Sequence, residues 1–202
     1  MNTPDLVFRG RRLSGDHALV LAAVEVLPDP SAAREAVRGA VADGADLVSF
    51  AGTGVESLLV WARETFPGLV TAVDTADPAV AAACCEAGAE LIVARADLTE
   101  VAARFGTGYA AASLSGVAGL PAGGVVLDAG VLRTALPPVG DIPLLAEAAG
   151  DGTPAGLALA ALAASAGVAI LRTTHVRETR HVAEMAASIA GTRPPAKAVR
   201  WE

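Results

Sequence analysis

The chain alternates between short apolar runs rich in β-branched residues and longer Ala-rich stretches with helical spacing. In the stretch 31–42, Ala33, Val37, Ala40 and Val41 recur at intervals of three and four residues, as on the apolar face of a helix. Such alternation is typical of α/β proteins with a parallel sheet. It predicts strands at 18–26, 46–50, 69–74, 91–94, 109–114, 125–128, 142–146 and 168–172, and helices at 31–42, 55–66, 78–87, 98–105, 154–166 and 176–190.

Glycines mark the predicted junctions between helices and strands. Gly44, Gly88 and Gly167 each follow a helix and precede a strand, where a left-handed glycine commonly ends a helix. Eight strands are what a (β/α)8 TIM barrel requires, so we predict that fold, with a doubly wound open sheet as the alternative. Two helices are expected to be shortened or missing, because 114–124 and 131–141 are rich in Gly or Pro.

Composition and charge narrow the class of protein. With 202 residues, of which 53% are hydrophobic, the chain is long enough for one good core, and we predict a single domain over 1–202. A loose tail is expected over 192–202, which contains Pro194 and Pro195. The net charge of −7 argues against a nucleic-acid partner. No signal peptide or membrane span is expected, and the adjacent Cys84 and Cys85 favour a reducing cytoplasm over a disulfide framework.

Polar residues follow the predicted strands at their carboxyl ends, where the loops of a barrel enzyme gather around its active site. Carboxylates suit hydrogen bonding to an amino-pyrimidine edge, and arginine binds phosphate or carboxylate groups through a bidentate fork. The polar residues at these ends are Glu25, Asp29, Asp74, Thr75, Arg95, Ser113, Ser115, Asp128, Glu147, Arg172, Thr173, Thr174 and His175.

Most of these candidates also have a purely structural interpretation. Asp74 or Thr75 could cap the third helix, and Asp128 could stabilise a turn. His175 could simply flank the last helix, whereas Arg172, at the end of an apolar strand, needs a partner. The histidines and cysteines lack metal-ligand spacing, so no metal site is predicted. We find neither a Gly-rich phosphate loop nor a Ser-nucleophile elbow in the sequence.

Seven segments, in order along the chain, resemble the signatures of the dihydropteroate synthase family, the pterin-binding (β/α)8 enzymes of folate synthesis. Val73-Asp74-Thr75 resembles the third-strand motif, and Leu127-Asp128-Ala129-Gly130 resembles the Leu-Asp-Pro-Gly motif of the sixth strand. Arg172-Thr173-Thr174-His175-Val176 resembles the closing Arg-Val-His-Asp-Val segment. The other segments are 6–13, 26–29, 43–48 and 86–92.

The resemblance implies specific roles. Asp74 and Asp128 would hold the amino-pyrimidine edge of a pterin, and Arg172 would help bind the pyrophosphate or the pterin face. A pterin or another small anionic ligand is therefore the expected partner. Asp29 and His175 would lie at the same rim. The first 15 residues would form the family's N-terminal β-hairpin, and the protein would be a homodimer through its last helices. Four small residues would permit a close approach between helices there: Gly156, Ala160, Ala161 and Ala164. Alternatively, the alanines could pack against the barrel.

Departures from the family pattern fall on its catalytic loops. The first signature's Asn and Thr are Glu25 and Leu27, and its loop is cut to Pro30-Ser31. The stretch 51–55 replaces the loop after strand two, and the pterin-contacting Asn and Lys of strands four and seven have no counterpart. These loops would order the pyrophosphate, its Mg²⁺ and the amine. The chain also falls short of the usual length of about 250 residues.

The sequence therefore predicts a pseudoenzyme related to folate biosynthesis, without synthase activity. No cofactor is expected, and Mg²⁺ would be needed only if synthase activity survived. An active synthase or another pterin-dependent transferase is one alternative. A non-catalytic scaffold or partner subunit is another.

Overall fold

The barrel predicted from the sequence is present, and it is closed. The computed structural model describes residues 5–26, 29–133 and 141–194. Eight parallel strands form a closed barrel, which excludes the open doubly wound sheet. These strands are β3 (Leu19–Val26), β4 (Leu47–Gly52), β5 (Val70–Asp74), β6 (Leu91–Ala94), β7 (Gly108–Ala111), β8 (Val125–Leu132), β9 (Leu144–Ala148) and β10 (Ile170–Thr173). They pair in the order β10-β3-β4-β5-β6-β7-β8-β9.

Among the described residues, six α-helices follow strands of the barrel, close to their predicted positions. The last two begin and end where the pattern predicts, because Thr153 caps the first of them and Gly167 and Gly191 end them in the left-handed conformation. The helices are α1 (Pro30–Ala42), α2 (Val55–Thr65), α3 (Pro78–Glu86), α4 (Thr99–Phe105), α5 (Pro154–Ala166) and α6 (Val176–Ala190).

Two helices of the ring were predicted to be shortened or missing, at 114–124 and at 131–141. Between β7 and β8 the chain forms only two single-turn 3-10 helices, Val117–Gly119 and Ala122–Gly124. The second gap, predicted at 131–141, lies largely outside the described residues, as does most of the predicted tail. The predicted end of the sixth strand at 128 is wrong, because β8 continues to Leu132 through an irregular register between Asp128 and Val131.

The N-terminal hairpin closes the amino-terminal end of the barrel. It comprises β1 (Leu6–Phe8) and β2 (Arg11–Leu13), joined by a two-residue turn in which Arg9 and Gly10 both have positive φ. The Arg9 guanidinium donates hydrogen bonds to the carbonyls of Cys85 and Ala89, at 3.0 and 3.2 Å. These bonds hold the hairpin under the barrel.

The core has two layers, as expected when alternate strand residues point to opposite faces. One layer fills the barrel with side chains from the strands and the hairpin, including Leu19, Leu21 and the fully buried Phe8. The other lies between the strands and the helices and includes Val20 and Val37. The filled interior leaves the carboxyl ends of the strands as the place where a site can form.

Candidate functional site

Asp74 and Arg172, two of the three residues predicted to bind a pterin, meet at the carboxyl end of the barrel. Arg172 Nη2 on β10 donates to Asp74 Oδ2 on β5 at 2.5 Å. The strands are separated by β3 and β4, so the pair reaches across the barrel mouth. The side chains of Arg172 and Asp74 remain 24% and 27% exposed. Arg172 therefore has the partner that its position required, and both side chains are accessible from solvent.

Asp74 is not the cap of the third helix. Asp77 takes that role, since its carboxylate accepts from the backbone N–H groups of Ala79 and Val80. Thr75 Oγ1 in turn accepts from the Asp77 N–H at 3.1 Å. Because Asp77 and Thr75 supply the bonds at the start of α3, the Asp74 carboxylate is available to Arg172.

Asp128 behaves as the structural alternative predicted. Its Oδ1 accepts a hydrogen bond from the backbone N–H of Gly130 at 2.8 Å, and the side chain is half-buried. This local turn lies where β8 departs from regular pairing with β9. Among the described residues, the recorded hydrogen bonds and ion pairs do not join Asp128 to Asp74 or Arg172. The geometry thus brings two of the three predicted pterin-binding residues together and leaves the third bonded to its own strand.

Asp29 at the predicted rim is a helix cap. Its Oδ1 accepts from the N–H and the hydroxyl of Ser31, at 2.9 and 2.7 Å, at the start of α1. The hydroxyl and N–H of Ser31 lower the pKa of this exposed carboxyl. The side chain has a sufficient structural role without any ligand.

His175 does flank the last helix, but it belongs to a polar cluster whose centre the sequence reasoning missed. Asp151, in the turn after β9, accepts from the hydroxyl of Thr173 at 2.5 Å and from the N–H and hydroxyl of Thr174 at 2.7 and 2.8 Å. The Nδ1 atom of His175 lies 3.4 Å from the same carboxylate. Burial alone would raise the pKa of Asp151, but these hydrogen bonds outweigh it and hold the pKa below its ordinary value.

The reason for missing Asp151 is a misplaced strand end. The sequence predicted that strand seven ends at residue 146, which put Glu147 at the rim. The strand continues to Ala148, and a turn at 149–152 carries Asp151 to the end of β10. The Asp-Gly-Thr-Pro run at 151–154, a turn followed by a helix start, was the signal available.

A cavity of about 160 Å³ lies beside the mouth, at the ends of β6 and β7. Arg95, Ser113 and Ser115, all predicted at the rim, line it. The Tyr109 hydroxyl fixes the adjoining loop by donating to the Ala96 carbonyl and accepting from the Leu98 N–H, both at 2.9 Å. This cavity has room for a group of a few atoms only.

In the described ranges 5–26, 29–133 and 141–194, no group of three or more His, Cys, Asp or Glu side chains is placed to hold a metal ion. None of the helices there has the length and hydropathy to cross a membrane.

No protein-family model matches the chain. Individual proteins do. A protein named inactive dihydropteroate synthase 2, from Mycobacterium tuberculosis, is 30% identical, and the match covers 95% of this chain and 89% of the relative. That alignment is 282 positions long, so gaps of at least 80 positions fall in this chain of 202 residues.

Solved structures agree with the fold. The structure of Mycobacterium tuberculosis Rv1207 is 31% identical and superimposes with a TM-score of 0.78, covering 95% of this chain and 99% of that one. Burkholderia cenocepacia dihydropteroate synthase complexed with 7,8-dihydropteroate is 19% identical, with a TM-score of 0.79 and coverage of 95% and 98%. The resemblance found in the sequence is confirmed: the chain belongs to the dihydropteroate synthase family.

Proposed function

We propose that this protein is a dihydropteroate-synthase-like barrel that does not catalyse the synthase reaction. The observation that carries the proposal is the length of two connections at the barrel mouth. Three residues, 27–29, separate β3 from α1, and two residues, Thr53 and Gly54, separate β4 from α2. In the family these connections are the loops that would order the pyrophosphate, Mg²⁺ and the amine. Relatives from Mycobacterium tuberculosis and Mycobacterium leprae are named inactive dihydropteroate synthase 2, which supports the same conclusion.

The physical reason is the loss of electrostatic stabilisation. Expulsion of pyrophosphate builds negative charge on the leaving group, and donors placed around that charge are usually the largest catalytic contribution, with about 10²–10³ in rate for each donor. Connections of two or three residues supply few such donors. The guanidinium of Arg172, which could neutralise an anion, already pairs with Asp74.

The direct test is a synthase assay with the purified protein, in which pyrophosphate release is followed with a pterin diphosphate, an aryl amine and Mg²⁺. We expect no turnover above the uncatalysed rate, while an active member of the family run in parallel turns over normally. Turnover by the wild type that disappears in Asp74→Asn would overturn the proposal. Failure to complement a synthase-deficient strain at good expression is the matching result in cells.

We further propose that the mouth keeps a weak site for a pterin or another small anionic ligand, formed by Asp74, Asp128 and Arg172. The carboxylates can accept from the amino and ring N–H groups of a pterin, and Arg172 can pair with an anion. The ligand has to compete with the Arg172–Asp74 ion pair, which is why we expect weak binding.

Calorimetric titration of a reduced pterin tests this site. We expect a millimolar or tighter dissociation constant, weakened at least about tenfold in Asp74→Asn, which corresponds to about 1.4 kcal/mol. Asp97→Asn is the matched control, because Asp97 is a rim carboxylate that accepts from the N–H and hydroxyl of Thr99 and not from Arg172. No binding by the wild type, or equal binding by all three proteins, would contradict the proposed site.

We also propose that the protein is a homodimer through α5 and α6. Three side chains on these helices support the proposal, because Leu162, Met185 and Ile189 are 60%, 53% and 80% exposed, more than the other large apolar side chains of the described residues. The small residues singled out from the sequence are not all available for it. Gly156 and Ala160 are buried within the subunit, where a Cβ on Gly156 would lie 2.2 Å from the Gly150 carbonyl oxygen.

Sedimentation of the wild type and of Leu162→Glu shows whether each protein is a dimer or a monomer in solution. We expect a dimer for the wild type and a monomer for the variant, because an ionised carboxylate is costly to bury in an apolar interface. Val60→Glu is the control, since Val60 is an exposed apolar residue on α2. Accidental contacts have dissociation constants in about the millimolar range, so a specific dimer should form at a protein concentration of about 100 μM. A wild type that is monomeric at that concentration would contradict the proposed dimer.

For its compartment we propose the cytoplasm, because Cys84 and Cys85 are buried and unbridged, as expected in a reducing environment. The proposed function requires no cofactor. Mg²⁺ would be needed only if the synthase assay succeeded.

A further inference from the structure

A buried histidine lies at the amino-terminal end of the barrel, far in the sequence from the mouth residues. His17 is in the linker between the hairpin and β3, and its side chain is 8% exposed. Its Nδ1 lies 2.5 Å from Asp16 Oδ1, and its Nε2 lies 3.6 Å from Asp46 Oδ2. Both ring nitrogens therefore face carboxylates, which is the arrangement that suits a doubly protonated imidazolium.

Asp46 connects this histidine to the last helix. Its Oδ2 accepts from the Val20 N–H at 2.9 Å, and both of its carboxylate oxygens accept from Arg180 Nη1 at 2.8 Å. Arg180 Nε also donates to Glu184 on the next turn of α6 at 2.8 Å. The entry to β4 is thus bonded to α6 through buried or half-buried charges.

The end of α6 returns to the same linker. Thr192 Oγ1 donates to the Asp16 carbonyl at 2.7 Å. Arg193 Nη1 lies 3.4 Å from Glu184 and 3.4 Å from His17 Nδ1. Because Asp16 is much closer to that nitrogen, we assign Nδ1 a proton, and the Arg193 contact is then one between like charges. The charged neighbours of His17 are therefore of two kinds. The carboxylates of Asp16, Asp46 and Glu184 favour its protonated form, whereas the guanidinium groups of Arg180 and Arg193 oppose it.

We propose that protonated His17 is a pH-sensitive clasp that holds the hairpin linker and the end of α6 against the amino-terminal face of the barrel. When His17 loses its proton, one of its two carboxylate neighbours loses a positive partner. Asp46 keeps Arg180, but the charge attraction from the linker is removed. The linker then opens more easily, although the repulsion between His17 and Arg193 is relieved. An open linker also withdraws the Asp16 carbonyl from Thr192 at the end of α6.

The direction of the pH effect follows from the charges. Burial opposes protonation of His17, but the carboxylates of Asp46 and Asp16 outweigh it, so its pKa lies above the ordinary value of 6.5. At 3.6 Å the Asp46 contribution is charge attraction, whereas Asp16 provides a hydrogen bond. A folded-state pKa above the unfolded one means that the clasp is fully formed below about pH 6.5 and is lost as pH rises through the folded value.

Thermal unfolding of wild type, His17→Gln and His181→Gln between pH 6 and pH 9 tests the clasp. We expect the melting temperature of the wild type, relative to that of His17→Gln, to fall by about 3–6 °C over this range, as a change of about tenfold in the folding equilibrium would produce. His181 is an exposed histidine on α6, so His181→Gln should follow the wild type. Parallel curves for wild type and His17→Gln would overturn the proposal.

A measurement on the wild type alone guards against a variant that fails to fold. The imidazole proton resonances of His17, followed by NMR, should titrate above pH 6.5. Amide exchange, corrected for its intrinsic pH dependence, should rise with pH at 14–20 and 186–192 but not in α3. Titration at or below 6.5, or uniform exchange, would count against the clasp.

Discussion

Arg172 and Asp74, which stand 98 positions apart in the chain, form an ion pair across the barrel mouth with Nη2 and Oδ2 at 2.5 Å. Both side chains are partly exposed, so the pair lies between a surface salt bridge and a buried one. Each partner satisfies a charge that the sequence had placed at the mouth of a filled barrel. The same two side chains that form this ion pair are proposed ligand contacts, so a ligand that binds them has to replace the ion pair.

A double-mutant cycle measures this pair. We expect Arg172→Met and Asp74→Asn each to lower the free energy of unfolding by about 1–3 kcal/mol, because each leaves one partly desolvated charge alone. The double variant should lose less than the sum. Urea unfolding gives the three values, and strictly additive losses would show that the ion pair does not contribute in solution.

Asp151 holds the turn after β9 to the end of β10, and its loss should depend on pH. We expect Asp151→Asn to lower the free energy of unfolding by about 1–3 kcal/mol at pH 7, since bonds to a charged acceptor are weakened. The pKa of Asp151 is held below its ordinary value of 3.8 by Thr173 and Thr174 despite burial. The carboxylate's contribution is thus present above about pH 4 and is lost as pH falls through the folded pKa.

Urea unfolding of the wild type and Asp151→Asn at pH 7 and pH 3 checks this prediction. The difference between the two proteins should shrink at the lower pH. Asp141→Asn serves as the control, because Asp141 is exposed. A difference that stays constant with pH would mean that Asp151 acts through packing and not through its charge.

Phe8 of the hairpin requires the glycine at 108. A Cβ on Gly108 would lie 2.1 Å from Phe8 Cδ1, so Gly108→Ala should displace the ring and cost about 1–3 kcal/mol of unfolding free energy. Phe8→Ala should cost about 3–5 kcal/mol, because the ring is fully buried. Combining the two should cost less than their sum.

Gly39→Ala is the matched control for Gly108→Ala. Gly39 lies within α1, and a Cβ there would meet nothing within 4 Å. The substitution should raise stability by about 0.5–1 kcal/mol through helix propensity. Equal effects at the two glycines would show that the Phe8 contact does not decide the result.

Cys84 and Cys85 should be chemically inert in the folded protein. Burial raises the pKa of the Cys84 thiol to about 12 and that of Cys85 to about 11. The reactive thiolate is therefore about one part in a thousand or less at pH 8. We expect no labelling by an aromatic disulfide reagent in native protein and two thiols labelled in guanidinium chloride. Rapid native labelling would contradict the buried packing of α3.

The elements of the barrel could be predicted from the sequence because their signals are local. Apolar periodicity located the eight barrel strands and the six helices of the described residues, and Gly167, which the sequence marked as a helix end, does end α5. Local signals were weaker where the backbone is irregular. The continuation of β8 past Asp128 depends on pairing with β9 across a register shift, which no short stretch of sequence encodes.

The sequence by itself determined the family, the barrel, the short connections at the mouth and the presence there of Asp74, Asp128 and Arg172. Only the tertiary structure decided how those side chains are used. It paired Arg172 with Asp74, bonded Asp128 to Gly130 and brought in Asp151. Periodicity is a property of neighbouring residues, whereas the partner of a charge depends on which loops meet when the sheet closes.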